Sequence, residues 1–138
     1  MGSIQPGTIW IGWSTIAALI LYISTALQVA RARGRHRIQA PAMTGDPAFE
    51  RVVRVQANTL EHLVPFLAAL WLCAVFWAPL PAALLGVVWL IGRGVYAIGY
   101  YRSAPGRHPG FVIGMIALIL LILGAAYGLI RMGLVLGI

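Results

Sequence analysis

The chain has 138 residues, of which 61% are hydrophobic and 9% charged, against roughly 25% charged in soluble domains. So few charges cannot coat a water-facing shell, which excludes an ordinary soluble domain and leaves a lipid-facing one. The net charge of +7 comes from ten arginines set against Asp46, Glu50 and Glu61; because these arginines flank apolar stretches, they point to topology signals and intramembrane anion sites rather than to nucleic acid, which requires a water-exposed basic face.

One domain is expected over residues 1–138, an all-α antiparallel bundle of four membrane-spanning helices. Met1 to Thr8 carries no Lys or Arg and so lacks the basic region of a cleaved signal peptide. The first apolar stretch runs from about Thr8 to Ala30, near the roughly 20 residues needed to cross a hydrocarbon core, with Trp10 and Trp13 as an interfacial belt. A polar loop, Arg31 to Pro47, follows with Arg31, Arg33, Arg35 and Arg37. Asp46 is placed as the N-cap of the next helix and Pro47 as its first residue.

The second span, about Pro47 to Trp77, would reach roughly 45 Å at 1.5 Å per residue, so its first third is expected to project from the bilayer core. Pro79 and Pro81 mark a short turn into the third span, about Ala82 to Tyr101. A polar loop, Ser103 to Pro109, leads to the fourth, about Gly110 to Arg131. The loops after spans one and three hold Arg31, Arg33, Arg35, Arg37, Arg102 and Arg107. The positive-inside rule puts them in the cytoplasm and both termini on the other side.

Polar residues inside the spans carry the functional signal. At 100° per residue, Arg51, Arg54, Asn58 and Glu61 fall within roughly an 80° arc of the second helix. A charge deep in a bilayer costs at least about 2.5–3.5 kcal/mol, so such a stripe must face protein or water and be paired. Pro65 leaves the Glu61 carbonyl without its helical donor and is expected to kink the helix there. On the third span Arg93, Tyr96 and Tyr100 share one face and lead to Arg102 and Arg107. Facing stripes would form a pocket of guanidinium and phenol groups suited to a ligand with more than one carboxylate, with Glu61 available to an ammonium group or to Arg54 or Arg93.

Blander readings stand beside these. Arg31, Arg35, His36 and Arg37 read as topology signals and lipid-headgroup contacts. Arg102 serves equally as a snorkelling anchor, and Arg51 and Glu50 as solvated residues of a helix start. Arg54, Asn58, Glu61 and Arg93 would also fit a purely structural interhelical network, and Tyr96 and Tyr100 an aromatic belt. His62, His108 and the lone Cys73 have no metal-site spacing, so no metal is expected. Gly86, Gly92, Gly99, Gly114, Gly124 and Gly128 fit close helix packing.

The set Arg51, Arg54, Gln56, Asn58 and Glu61, followed by Arg93, Tyr96, Tyr100, Arg102 and Arg107, resembles the MAPEG family. Its members include microsomal glutathione transferases and leukotriene C4 synthase. The resemblance implies a homotrimer of four-helix subunits that holds glutathione between neighbours near the cytoplasmic face. It implies glutathione contacts at Arg33, Arg54, Gln56, Asn58, Glu61, Arg93, Tyr96 and Tyr100, and assigns to Arg107 the stabilisation of the glutathione thiolate. The second substrate would be an apolar electrophile or lipid arriving from the membrane.

Two positions depart from the leukotriene C4 synthase pattern: His62 replaces a tyrosine and Gly34 an arginine. The Glu61 to Pro65 spacing looks more like the microsomal glutathione transferase 1 branch. These departures favour a broader transferase, with glutathione peroxidase activity as a companion. Two other classes compete: a non-catalytic lipid- or glutathione-binding protein of the same fold, and a small multidrug transporter. The latter family carries its membrane glutamate in the first span, where this chain has none.

Overall fold

The computed structural model describes residues 7–137, and the stretch Met1 to Pro6, most of the segment read as lacking a signal-peptide start, lies outside them. The described residues form four long helices and no strand. These are α1 (Thr8–His36), α2 (Pro47–Phe76), α3 (Pro79–Arg102) and α4 (His108–Leu136), with a 3₁₀ turn over Pro105–Arg107. All four are long and apolar enough to cross a membrane. Each of α2 and α3 packs on both outer helices, so these two form the centre of the bundle, with α1 and α4 on its flanks.

Helix α1 runs six residues past the expected end at Ala30, through Arg31 to His36. Hydropathy drops there, but Arg and Ala are strong helix formers and continue the helix into the polar zone. It stops at Arg37, whose φ of 55° is left-handed and whose backbone N–H returns to the Arg33 carbonyl. Asp46 caps α2 as the sequence indicates, accepting from the N–H groups of Ala48 at 2.7 Å and Phe49 at 3.2 Å. Those two bonds, the Phe49 bond foremost, together with nearby His36 at 3.3 Å, hold the Asp46 carboxyl below the usual carboxylate range. Helix α2 continues without interruption through Pro65.

The apolar centre gathers Ile11, Ala18, Phe66, Leu70, Trp89 and Leu121, all essentially inaccessible. Phe66 and Trp89 stack with centroids 3.8 Å apart. Small residues bring α3 and α4 into backbone contact. A Cβ on Gly110 would meet the Tyr96 backbone nitrogen and lie 2.6 Å from the Gly92 carbonyl oxygen. Helix α4 meets the end of α2 the same way, Gly128 lying on the Phe76 carbonyl. In lipid, where apolar burial drives no association, such close backbone approach is a main source of cohesion. Gly114 itself has room for a Cβ; its backbone is what Gly92 packs against.

Candidate functional site

Helix α3 carries a ladder of alternating guanidinium and phenol groups. Arg93 is 1% exposed. Its guanidinium carbon lies 4.2 Å from the Tyr96 ring centroid; Tyr96 meets Tyr100 edge to face at 5.7 Å; Arg107 covers the Tyr100 ring at 5.0 Å. The i, i+3, i+7 spacing on α3 aligns the first three members on one face. The fourth comes from the 3₁₀ turn. That turn is seated against α3: Ser103 N–H bonds the Gly99 carbonyl at 3.0 Å, Gly106 N–H bonds the Ser103 carbonyl at 3.2 Å, and the Gly106 carbonyl lies where a Gly99 Cβ would be. Arg107 Nη1 then donates to the Tyr100 hydroxyl at 3.1 Å.

Helix α2 supplies the polar partners. Arg93 Nη2 donates to Asn58 Oδ1 at 3.1 Å and to Thr59 Oγ1 at 3.0 Å. Asn58 in turn donates through Nδ2 to Glu61 Oε2 at 3.1 Å, and the Thr59 hydroxyl donates to the Val55 carbonyl at 2.7 Å. No carboxylate lies within ion-pair distance of Arg93 among the described residues, and its Nε has no hydrogen-bond partner. The charge is therefore held by neutral dipoles and an aromatic face. A cavity of about 320 Å³ opens beside this network, lined by Asn58, Tyr96, Arg107, His108 and Phe111. Its chemistry is that of an anion site: a guanidinium, an amide and a phenol on one wall, an aromatic on the other.

Asn58, Glu61, Arg93, Tyr96, Tyr100 and Arg107 are thus connected within one chain. Three other candidates are not bonded into this network. Arg33 donates to the Ala42 carbonyl at 2.7 Å and covers the Phe49 ring, bracing the first loop. Gln56 donates to the Tyr22 hydroxyl at 3.1 Å, tying α2 to α1. Arg54 is exposed and makes no side-chain hydrogen bond or ion pair among the described residues. Of the α2 stripe, only Asn58 bonds to α3. Arg51 is half-buried with an unpartnered Nε, and Glu61 is exposed apart from its bond to Asn58.

Thr59, His108 and Phe111 belong to the site without having been singled out for it. Thr59 adjoins Asn58 and could have been suspected as a second acceptor for a buried guanidinium. His108 and Phe111 follow Arg107 on the first turn of α4, a position that helix periodicity alone does not assign to the pocket. His62 packs edge to face on Phe111 at 5.6 Å, one layer behind the cavity wall. No group of three or more metal-ligating side chains exists among the described residues.

The sequence matches the model of the MAPEG family over residues 11–127. It is 46% identical over 117 residues to an uncharacterized protein of Synechocystis sp., covering 85% of each chain. It is 42% identical over 116 residues to leukotriene C4 synthase of Cavia porcellus, covering 84% of this chain and 77% of that one. With human microsomal glutathione S-transferase 2 it shares 39% over 104 residues, 75% of this chain and 71% of that one. The latter two relatives are a leukotriene C4 synthase and a type 2 microsomal transferase, whereas the Glu61 to Pro65 spacing pointed toward type 1.

Proposed function

The chain belongs to the MAPEG family, and from that premise we propose that it is a membrane-embedded transferase that conjugates glutathione to apolar electrophiles. The observation that carries this reading is the Arg107 guanidinium, held by Tyr100 and lining a cavity with Asn58 and Tyr96. A free thiol has a pKa near about 8.5 and reacts as the thiolate; an adjacent guanidinium favours that form. Arginine suits the role because it remains protonated and does not return a proton to sulfur. In the reaction the thiol proton leaves to solvent and the sulfur lone pair forms the S–C bond. The leaving group departs with the electrons of the bond it held.

The rest of the tripeptide matches the surrounding groups. Its two carboxylates suit the guanidinium forks of Arg54 and Arg33, and its ammonium suits Glu61; Gln56, Asn58, Arg93, Tyr96 and Tyr100 supply the remaining polar contacts. Arg33 and Gln56 are distant in bonding from the Arg107 cluster, and Arg54 and Glu61 are exposed on one protomer. Left facing lipid at span depth, a charge such as that of Glu61 would cost about 2.5–3.5 kcal/mol. A neighbouring copy covering it relieves that cost and brings its own Arg33 and Gln56 to the site, which favours a homotrimer with glutathione between subunits. The arginine-rich loops then face the cytoplasm and the termini the opposite side. Reduction of lipid hydroperoxides by the same thiolate is a second activity this site would support.

The test is glutathione-dependent conjugation of a chlorodinitrobenzene by the detergent-purified protein, with Arg107→Ala in parallel. Turnover that collapses in the variant while glutathione still binds supports the transferase. Glutathione binding with no wild-type turnover replaces it with the non-catalytic binding reading. Absence of glutathione binding sinks both.

A further inference from the structure

A second polar cavity, of about 270 Å³, lies at the arginine-rich end between the close of α1, the start of α2 and the close of α3, lined by Gln28, Ala32, Arg35, His36, Ala48, Val52 and Tyr101. It shares no lining residue with the Arg107 cavity. Ala32, Ala48 and Val52 form an apolar floor, and the two alanines leave the space. Four polar side chains surround it. Gln28, Arg35 and Tyr101 make no side-chain hydrogen bond or ion pair among the described residues. His36 is fixed through Nδ1 to Asp46 at 3.3 Å, which leaves Nε2 available. No carboxylate lines the cavity; Asp46 is behind His36.

We infer that this cavity binds the phosphate of an anionic phospholipid headgroup. Three unengaged donors (a guanidinium, an amide and a phenol) meet beside the His36 ring where the chain leaves the bilayer, and phosphate oxygens are the acceptors that such a set matches. Gln28 lies eight residues below His36, roughly 12 Å along the helix, so the cavity descends from headgroup level toward the acyl region. That depth, with the apolar floor, fits phosphate and glycerol together. A phosphocholine group would bring a quaternary ammonium against Arg35 and is disfavoured. The site is independent of the glutathione chemistry.

The experiment uses the delipidated full chain in detergent, where no leaflet surface potential operates, and native mass spectrometry to follow bound lipid. Dioleoylphosphatidylglycerol is expected to bind about tenfold more tightly than dioleoylphosphatidylcholine, a difference of about 1.4 kcal/mol. Arg35→Gln should remove most of that preference, and Tyr101→Phe should weaken binding roughly threefold, in line with one lost hydrogen bond. Arg37→Gln removes the same charge just past the end of α1, at a residue that does not line the cavity, and should change binding less than about twofold. Circular dichroism of each variant checks that the helices persist. Equal binding of the two lipids, or equal losses in Arg35→Gln and Arg37→Gln, would overturn the site. Displacement of the lipid by equimolar inorganic phosphate would make it a free-anion site and overturn the lipid assignment.

Discussion

Arg93 and Asn58 are joined across the α2–α3 seam by a 3.1 Å hydrogen bond from Nη2 to Oδ1. Through it a guanidinium buried in the span is connected to Glu61, which accepts from the same amide at 3.1 Å. The amide thus serves two charges of opposite sign, its oxygen toward the cation and its nitrogen toward the anion.

Replacing that amide by an isosteric hydrocarbon severs both links. Asn58→Leu should lower the thermal midpoint by several degrees, since a hydrogen bond to a charged group is worth about 1.5–3 kcal/mol. Titration calorimetry should show glutathione binding weakened roughly tenfold or more. Unchanged affinity would remove Asn58 and its network from the binding site.

The Arg107–Tyr100 pair separates charge from orientation. In Arg107→Ala the conjugation rate at pH 6.5 should fall by about 100-fold or more, and less at pH 9.5, because an unassisted thiol ionises near about 8.5. Tyr100→Phe keeps the guanidinium but removes its acceptor, so a smaller loss, roughly three- to tenfold, is expected. A pH–rate profile that does not move in Arg107→Ala would exclude the thiolate role.

Backbone contact between α3 and α4 sets a hard steric limit. Gly110→Ala places a methyl group against the Tyr96 nitrogen and the Gly92 oxygen, neither of which can rotate away. Overpacking commonly costs about 1–3 kcal/mol, and this case belongs at or above the upper end. Thermal unfolding in detergent gives the readout. A variant as stable as wild type would mean that the two helices separate without penalty.

Asp46 gives a pH dependence with a definite sign. Its carboxyl titrates below its ordinary value of 3.8 in the folded chain. The ionised form therefore adds stability that is complete above the unfolded value and is lost as pH falls through the folded one. Asp46→Asn retains a capping oxygen but has no proton to gain. The thermal midpoint of wild type should drop more steeply below about pH 4 than that of the variant. Parallel curves would show that the cap contributes nothing to acid sensitivity.

The four spans were legible because apolar length is a direct consequence of bilayer thickness. The end of α1 was not: Arg31 to His36 is polar, so hydropathy assigns it to a loop, whereas its helix propensity extends the helix. Periodicity correctly put Arg93, Tyr96 and Tyr100 on one face. It put Asn58 on a stripe with Arg54 and Glu61, but a stripe says nothing about which neighbour it meets, and within the chain only Asn58 of that stripe bonds to α3. Arg33 and Gln56 bond to Ala42 and Tyr22 through tertiary contacts that no local spacing encodes. Thr59 escaped notice because a hydroxyl already bonded to its own helix gives no sign that its oxygen also accepts from Arg93.

The 3₁₀ turn before α4 is short, and its Gly106 lies against the Gly99 main chain, which α3 already holds in place. Arginine at the end of a mobile loop would have to surrender backbone freedom, about 1–2 kcal/mol per residue, each time it met a ligand. Here that loss is incurred once, during folding. What remains to be ordered at Arg107 is the side chain alone, and its bond to the Tyr100 hydroxyl has already narrowed those rotamers. The guanidinium is preorganised, so more of any interaction it makes with an arriving anion is expressed as affinity or rate.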